Sequence, residues 1–110
     1  MDLQIEHQEK NGTRQLSVSG EVDAYTAPQL RKELLPLVEH AGTTVSVDLS
    51  DVQYMDSTGL GVFVAALKSS KKNGSTLNLR GMNPRVKRLF DITGLAEFMM
   101  IDREEKGGTS

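Results

Sequence analysis

Residues 45–67 read VSVDLSDVQYMDSTGLGVFVAAL, and within this stretch the apolar spacing changes from that of a strand to that of a helix. At its start, three apolar residues alternate with polar ones, as in a strand with one buried face: Val45, Val47 and Leu49. From about Ser57 or Thr58, apolar residues recur at helical spacing, namely Leu60, Phe63, Val64 and Leu67. The stretch predicts a strand, a lead-in over residues 51–56, and a helix that Asn73-Gly74 ends.

The preceding segments predict a hairpin and a helix. Alternating apolar residues lie on both sides of Asn11-Gly12, a dipeptide that favours a two-residue hairpin turn. The Thr26 hydroxyl is a candidate N-cap, and Pro28-Gln29 behind it is typical of a first helical turn. Pro36 is expected to bend this helix before Gly42 ends it. The apolar stripe of the helix consists of Leu30, Leu34, Leu37 and Val38.

The segments after the middle helix again predict a strand followed by a helix. Leu77 and Leu79 mark another strand, and Asn83-Pro84 predicts the cap and first turn of a third helix that Gly94 ends. Residues 95–101 predict a short helix or a terminal strand. The residues of the third helix that are expected to be buried are Val86, Leu89 and Phe90.

The order of these elements sets the expected fold class. Strand, helix, strand, helix, strand in the middle of the chain predicts right-handed crossovers and a mainly parallel sheet. We therefore expect a single α/β domain over residues 1–101, with a mixed sheet, an N-terminal antiparallel hairpin and flanking helices. Residues 102–110 are charged and glycine-rich, with no apolar side chain to bury, so a disordered C-terminal tail is expected.

The composition argues against several classes of protein. The 110 residues include no Cys, which excludes a disulfide scaffold, thiolate zinc sites and a cysteine nucleophile. Thirteen basic and fifteen acidic residues give a formal charge of -2, which offers no broad positive field to nucleic acid. The amino terminus lacks the features of a signal peptide, and no apolar run approaches the roughly 18 residues of a membrane helix. We expect a cytoplasmic protein that binds neither nucleic acid nor membranes.

The junction between the middle strand and its helix, residues 54–61, contains the clearest functional chemistry. The carboxyl end of a parallel strand is a place where ligand-facing groups are typically exposed. Free backbone N–H groups and the dipole of a helix N-terminus favour negative charge, so a hydroxyl at Ser57 could accept and hold a phosphoryl group. The alternative is that Ser57 or Thr58 merely caps the helix, as most Ser and Thr residues at such positions do.

Three motifs extend this observation. The first is Asp56-Ser57-Thr58-Gly59-Leu60-Gly61-Val62, preceded by Val47-Asp48-Leu49-Ser50. The second is Gly20-Glu21-Val22-Asp23 followed by Ala27-Pro28-Gln29-Leu30, and the third is Leu89-Phe90-Asp91-Ile92-Thr93-Gly94-Leu95. Together they resemble the STAS-domain anti-sigma-factor antagonists, and among them the RsbV type of the general stress response. The resemblance spans about residues 3–101.

The resemblance implies a mechanism of partner switching. In that family the unphosphorylated antagonist binds an anti-sigma factor, which frees a sigma factor for transcription. The anti-sigma factor is also a serine kinase, which phosphorylates the serine matching Ser57 and so releases the antagonist, and a PPM-family phosphatase restores the active form. Asp23 and Asp56 match acidic positions that flank the phosphorylation site, and Thr58 is a second candidate acceptor. The resemblance implies neither enzymatic activity nor a cofactor or metal.

Position along the chain suggests a partner-binding surface around Ser57. We expect it to comprise Asp23, Tyr25, Asp56, Ser57, Thr58, Gly59 and Gly61, with the two glycines permitting close approach of the partner. Phosphorylation adds about -1.5 to -2 charges at pH 7 to this surface. We expect an electrostatic and steric switch on a preformed surface, without refolding.

Three other functions are consistent with parts of the sequence. A hydrolase with Ser57 as nucleophile needs a base, and neither His7 nor His40 lies where a triad predicts it. Nucleotide binding by the loop from Asp56 to Gly61 lacks the glycine and lysine spacing of phosphate-binding loops. A magnesium ion could be held by Asp48, Asp51 and Asp56, but acidic residues near turns and caps are common and are more often solvated. The third alternative is a STAS module of a stress-sensing or lipid-transport complex, which would share the fold.

Overall fold

The computed structural model describes residues 2–93 and 100–101. The strands are β1 (Leu3–Lys10), β2 (Thr13–Val22), β3 (Thr44–Met55), β4 (Thr76–Arg80) and β5 (Met100–Ile101). The α-helices are α1 (Ala27–Leu34), α2 (Ser57–Asn73) and α3 (Pro84–Thr93), and a 3-10 turn covers Leu37–Glu39. The predicted stop at Gly94, residues 95–99 and the predicted tail over 102–110 lie outside the described residues.

The five strands form one mixed sheet in the order β1-β2-β3-β4-β5. β1 is antiparallel to β2, and every other neighbouring pair is parallel. The hairpin turn lies at Asn11 and Gly12, whose φ values of 53° and 82° are left-handed, as a two-residue hairpin turn requires. The predicted mixed, mainly parallel sheet with an antiparallel hairpin is confirmed.

The core lies between the helices and one face of the sheet. The rings of Phe63 on α2 and Phe90 on α3 meet edge to face, with centroids 5.9 Å apart. The opposite face is polar: Gln15, Ser46 and Asn78 are adjacent across the register, and none is fully buried. The largest side chains that are almost wholly buried in the core include Leu16, Leu30, Leu34, Leu49 and Leu79. Among the described residues, no helix combines the length and the apolar character needed to cross a membrane.

The first helix is shorter than the sequence predicts. It ends at Leu34 rather than bending at Pro36 and continuing to Gly42. Pro36 has no N–H for a helical hydrogen bond and its ring clashes with the preceding turn, so the chain proceeds as the separate 3-10 turn. The apolar stripe is nevertheless maintained, because Val38 in that turn is fully buried.

The middle strand is longer than predicted. β3 includes residues 51–55, which the sequence suggested as a lead-in to the helix. Its register with β2 shifts twice, so the buried positions change from every second residue to every third, at Leu49, Val52 and Met55. Such irregularities remove the period of two by which a strand is recognised. The extension carries the chain directly to the start of α2.

Candidate functional site

Asp56 begins the middle helix. It has extended backbone angles, and its carboxylate Oδ1 accepts a hydrogen bond from the N–H of Gly59 at 3.0 Å. Its carbonyl oxygen accepts the first helical hydrogen bond, from the N–H of Leu60 at 2.9 Å. Asp56 is therefore the N-cap. The alternative in which Ser57 or Thr58 caps α2 is wrong, because Asp56 already fills that position.

Ser57 and Thr58 form the exposed start of α2. In the described part of the chain, neither hydroxyl has a hydrogen-bond partner. Their position in the first helical turn also leaves their backbone N–H groups without helical acceptors. The Ser57 hydroxyl is thus accessible at a helix N-terminus and has no structural task of its own.

The two glycines of the motif differ in their surroundings. A Cβ atom at Gly59 would lie 2.5 Å from Cγ1 and 2.7 Å from the carbonyl oxygen of Val22, distances too short for real atoms. Gly59 is buried, and its missing side chain lets α2 pack directly against the end of β2. Gly61 is exposed, with open space where a Cβ would stand. Close packing inside the protein therefore accounts for Gly59, whereas Gly61 lies on the surface.

The end of β2 brings a second acidic residue to the site. Val22 pairs with Met55 in the parallel register, and its carbonyl oxygen accepts from the N–H of Asp56 at 3.1 Å. Asp23 and Asp56 thus each follow a residue of the same strand pair. Both acidic residues therefore lie at the carboxyl end of the β2–β3 pair, where α2 begins.

Asp23 organises the turn between β2 and α1. Its carboxylate Oδ1 accepts from the backbone N–H groups of Tyr25 at 3.0 Å and Thr26 at 3.1 Å. The Thr26 hydroxyl donates to the carbonyl oxygen of Glu21 at 2.8 Å and accepts from the N–H of Asp23 at 2.9 Å. Thr26 occupies the predicted N-cap position and α1 begins directly after it, but its hydroxyl makes no cap hydrogen bond, because it is engaged with the strand end.

The same contacts determine the charge and shape of the turn. Burial of the Asp23 carboxyl raises its pKa, but the hydrogen bonds from Thr26 and Tyr25 outweigh this effect and leave the pKa below its ordinary value. Asp23 is therefore ionised at neutral pH. Tyr25 extends from the tip of the turn and is 88% exposed, well above the intermediate exposure that is typical of Tyr.

The histidines considered for a hydrolase lie away from Ser57, and the aspartates considered for a magnesium site do not cluster. His7 on β1 contacts Glu33 on α1 at 2.5 Å, and His40 is exposed after the 3-10 turn, so no hydrogen bond connects either histidine with Ser57. Within residues 2–93 and 100–101, no three acidic or histidine side chains gather as metal ligands would. Asp48, Asp51 and Asp56 do not form such a group.

The chain is similar to known proteins over most of its length. Residues 5–102 match the family model described as Mlab, STAS domain. The anti-sigma-B factor antagonist of Bacillus subtilis (strain 168) is 44% identical over 108 residues, which cover 98% of each chain. The crystal structure of an anti-sigma factor antagonist from Mycobacterium paratuberculosis is 27% identical, with a TM-score of 0.79, over 94% of this chain and 88% of that one.

Two structures of SpoIIAA share the fold. The unphosphorylated form has a TM-score of 0.69 at 15% identity, covering 96% of this chain and 91% of that one. The phosphorylated form, from Bacillus, has a TM-score of 0.68 at 22% identity, covering 96% and 95%. The architecture, the match to the family model and the full-length similarity lead to one assignment. The chain belongs to the STAS-domain family, in the group of the anti-sigma-B factor antagonists.

Proposed function

We propose that this protein is an anti-sigma factor antagonist whose binding is switched off by phosphorylation of Ser57. In its unphosphorylated form it binds an anti-sigma factor and so releases a sigma factor for transcription. The accessible Ser57 hydroxyl carries the proposal, because it lies at the N-terminus of α2 while Asp56 performs the capping. The names of relatives similar over nearly the whole chain support the anti-sigma factor as partner.

The proposed binding surface surrounds Ser57. It consists of Asp23, Tyr25, Asp56, Thr58 and Gly61, with Gly59 beneath them setting the distance between α2 and β2. The exposed ring of Tyr25 is suited to anchor a partner, since aromatic residues are enriched among interface residues that dominate binding energy. The turns at Asp23 and Asp56 are each fixed by hydrogen bonds, so this surface is formed before the partner arrives.

Electrostatics favour release after phosphorylation. A phosphoryl group brings about -1.5 to -2 charges to a site flanked by Asp23 and Asp56. The helix N-terminus stabilises the added negative charge by about 0.3 to 1 kcal/mol at an exposed position. A badly paired charge in a closed interface, by contrast, costs about 2 to 5 kcal/mol. The interface cost alone corresponds to an affinity loss of roughly 30-fold to several thousand-fold, and it exceeds the help from the helix N-terminus.

The proposal extends to the partners and the compartment. The anti-sigma factor acts as the serine kinase for Ser57, and a PPM-family phosphatase removes the phosphoryl group. The protein itself works by binding and catalyses no reaction. It acts in the cytoplasm, where sigma factors and their regulators meet. A STAS module of a stress-sensing or lipid-transport complex is less well supported, because the relatives similar over the full length are named antagonists.

The test of this proposal is phosphorylation by a purified anti-sigma factor with ATP, followed by mass spectrometry. The wild type and Thr58→Ala should each gain one phosphoryl group, and Ser57→Ala should gain none. Since both hydroxyls are exposed and neither caps α2, the two alanine variants are matched in structure. Binding measured in parallel should show that ATP releases the wild type and Thr58→Ala from the anti-sigma factor. Ser57→Ala should stay bound, and its release by ATP would contradict the proposal.

A further inference from the structure

A groove of about 210 Å³ lies between the end of β3 and helix α3. It is next to the proposed binding surface around Ser57, hereafter the Ser57 surface. The groove exists because β4 ends at Arg80, opposite Asp48, while β3 continues to Met55 with no neighbouring strand on that side among the described residues. Helix α3 covers this free edge only in part, held by the Asn83 amide, which donates to the carbonyl oxygen of Val52 at 2.9 Å. The groove is lined by Gln53, Tyr54, Met55, Arg85, Val86 and Leu89.

The groove combines an apolar floor with a cation. Met55 and Val86 are buried at its base, and the Tyr54 side chain, half exposed, stands at its edge. Arg85 is exposed and forms no ion pair with any residue that the structure describes. Tyr and Arg are two of the residue types that most often dominate binding energy in interfaces. The groove is therefore suited to an apolar side chain accompanied by a carboxylate.

Groups of opposite charge lie on the two sides of the end of β3. The Asp23 carboxylate follows β2 on one side, the guanidinium of Arg85 lines the groove on the α3 side, and Asp56 lies between them, directly before Ser57. Met55 precedes Ser57 by two residues, which span only about 7 Å of extended chain. A protein seated on Ser57 therefore reaches the groove without a conformational change. A partner with basic groups opposite Asp23 and an acidic group opposite Arg85 would fit both halves.

We propose that this groove is a second contact for the anti-sigma factor, which inserts a segment carrying an apolar side chain beside a carboxylate. The inference rests on the proposed function and adds a specificity contact to it. Phosphorylation of Ser57 controls whether the partner binds. The groove lies to one side of Ser57 and contributes to the choice of partner. Continuity with the Ser57 surface favours this occupant over a second copy of the chain, which would also offer carboxylates to Arg85.

A matched pair of charge reversals tests the proposal. Arg85→Glu changes the cation in the groove, and Arg88→Glu makes the same change at an exposed position of α3 that does not line the groove. Binding of each unphosphorylated variant to a purified anti-sigma factor is measured by calorimetry, with thermal unfolding as a check of folding. Arg85→Glu should weaken binding at least about tenfold, since like charges would then face each other, and Arg88→Glu should change it less than about twofold.

Each other outcome overturns the groove contact. Equal losses for the two variants would indicate general electrostatic attraction rather than a groove, and no loss for Arg85→Glu would show that the partner does not use it. In both cases the wild type still binds, so the proposed function stands. If the wild type does not bind, both proposals fail. Amide signals of residues 53–55 that move with protein concentration alone would identify a second copy as the occupant and overturn the proposal.

Discussion

At the Asp23 turn, a single carboxylate supports the shape of one half of the site. It accepts hydrogen bonds from two backbone N–H groups, and these favour its ionised form. Protonation of Asp23 therefore weakens the contacts that hold Tyr25 in its exposed position. The ionisation state of Asp23 therefore affects the conformation of the turn over residues 23–26.

This dependence on ionisation predicts a pH-dependent stability difference between the wild type and Asp23→Asn. Because the pKa of Asp23 is lower when folded than its ordinary value of 3.8, its ionised form stabilises the fold above that value. This stabilisation is lost as the pH falls through the lower, folded pKa. Urea unfolding should show the wild type to be the more stable protein at about pH 7, with the difference reduced at about pH 3. An equal stability difference at the two pH values would contradict a lowered pKa of Asp23 in the folded protein.

At the scale of elements, helix α2 and strand β2 approach each other closely at Gly59. Gly59→Ala places a methyl group against backbone and side-chain atoms of Val22, so it should destabilise the fold by about 1 to 3 kcal/mol. Gly61→Ala is the matched control, two residues along the same helix in open space, and should stabilise by about 0.5 to 1 kcal/mol. Urea unfolding measures both changes. A loss at Gly61 equal to that at Gly59 would contradict the packing argument.

Elements with one clear period are predictable from this sequence, and those that change period are not. The transition from β3 to α2 is apparent because alternating apolar residues give way to helical spacing. The end of α1 is hidden, since Val38 keeps the apolar stripe beyond Pro36 although the chain is no longer α-helical. The last part of β3 is hidden as well, because its register shifts depend on β2.

The sequence grouped the residues of the candidate site but did not predict the hydrogen bonds that they make. The motif brought Asp23, Asp56 and Ser57 into one hypothesis, and the pairing of Val22 with Met55 brings the Asp23 turn and the start of α2 to the same end of the sheet. The cap could not be assigned from sequence, since three consecutive residues have side chains that can cap a helix. The engagement of Thr26 with Glu21 depends on the path of the turn, for which the sequence contains no separate signal.

At the scale of the whole molecule, phosphorylation at Ser57 should leave the fold unchanged. The Ser57 hydroxyl has no internal hydrogen bond to lose among the described residues, and Asp56 rather than Ser57 caps α2. Amide NMR spectra of the two forms of this protein should therefore overlap except near residues 22–26 and 55–61. Shifts throughout β4 and α3 would instead indicate a rearrangement of the fold.

The cap at Asp56 bears on the lifetime of the protein. Under the proposed function, one copy passes through many cycles of modification and reversal while its helix stays anchored by a neighbouring side chain. Proteases act mainly on chains that open, so a cycle that never opens the chain does not hasten degradation. The cell can then reset the signal by chemistry on existing copies, with no need to synthesise new ones.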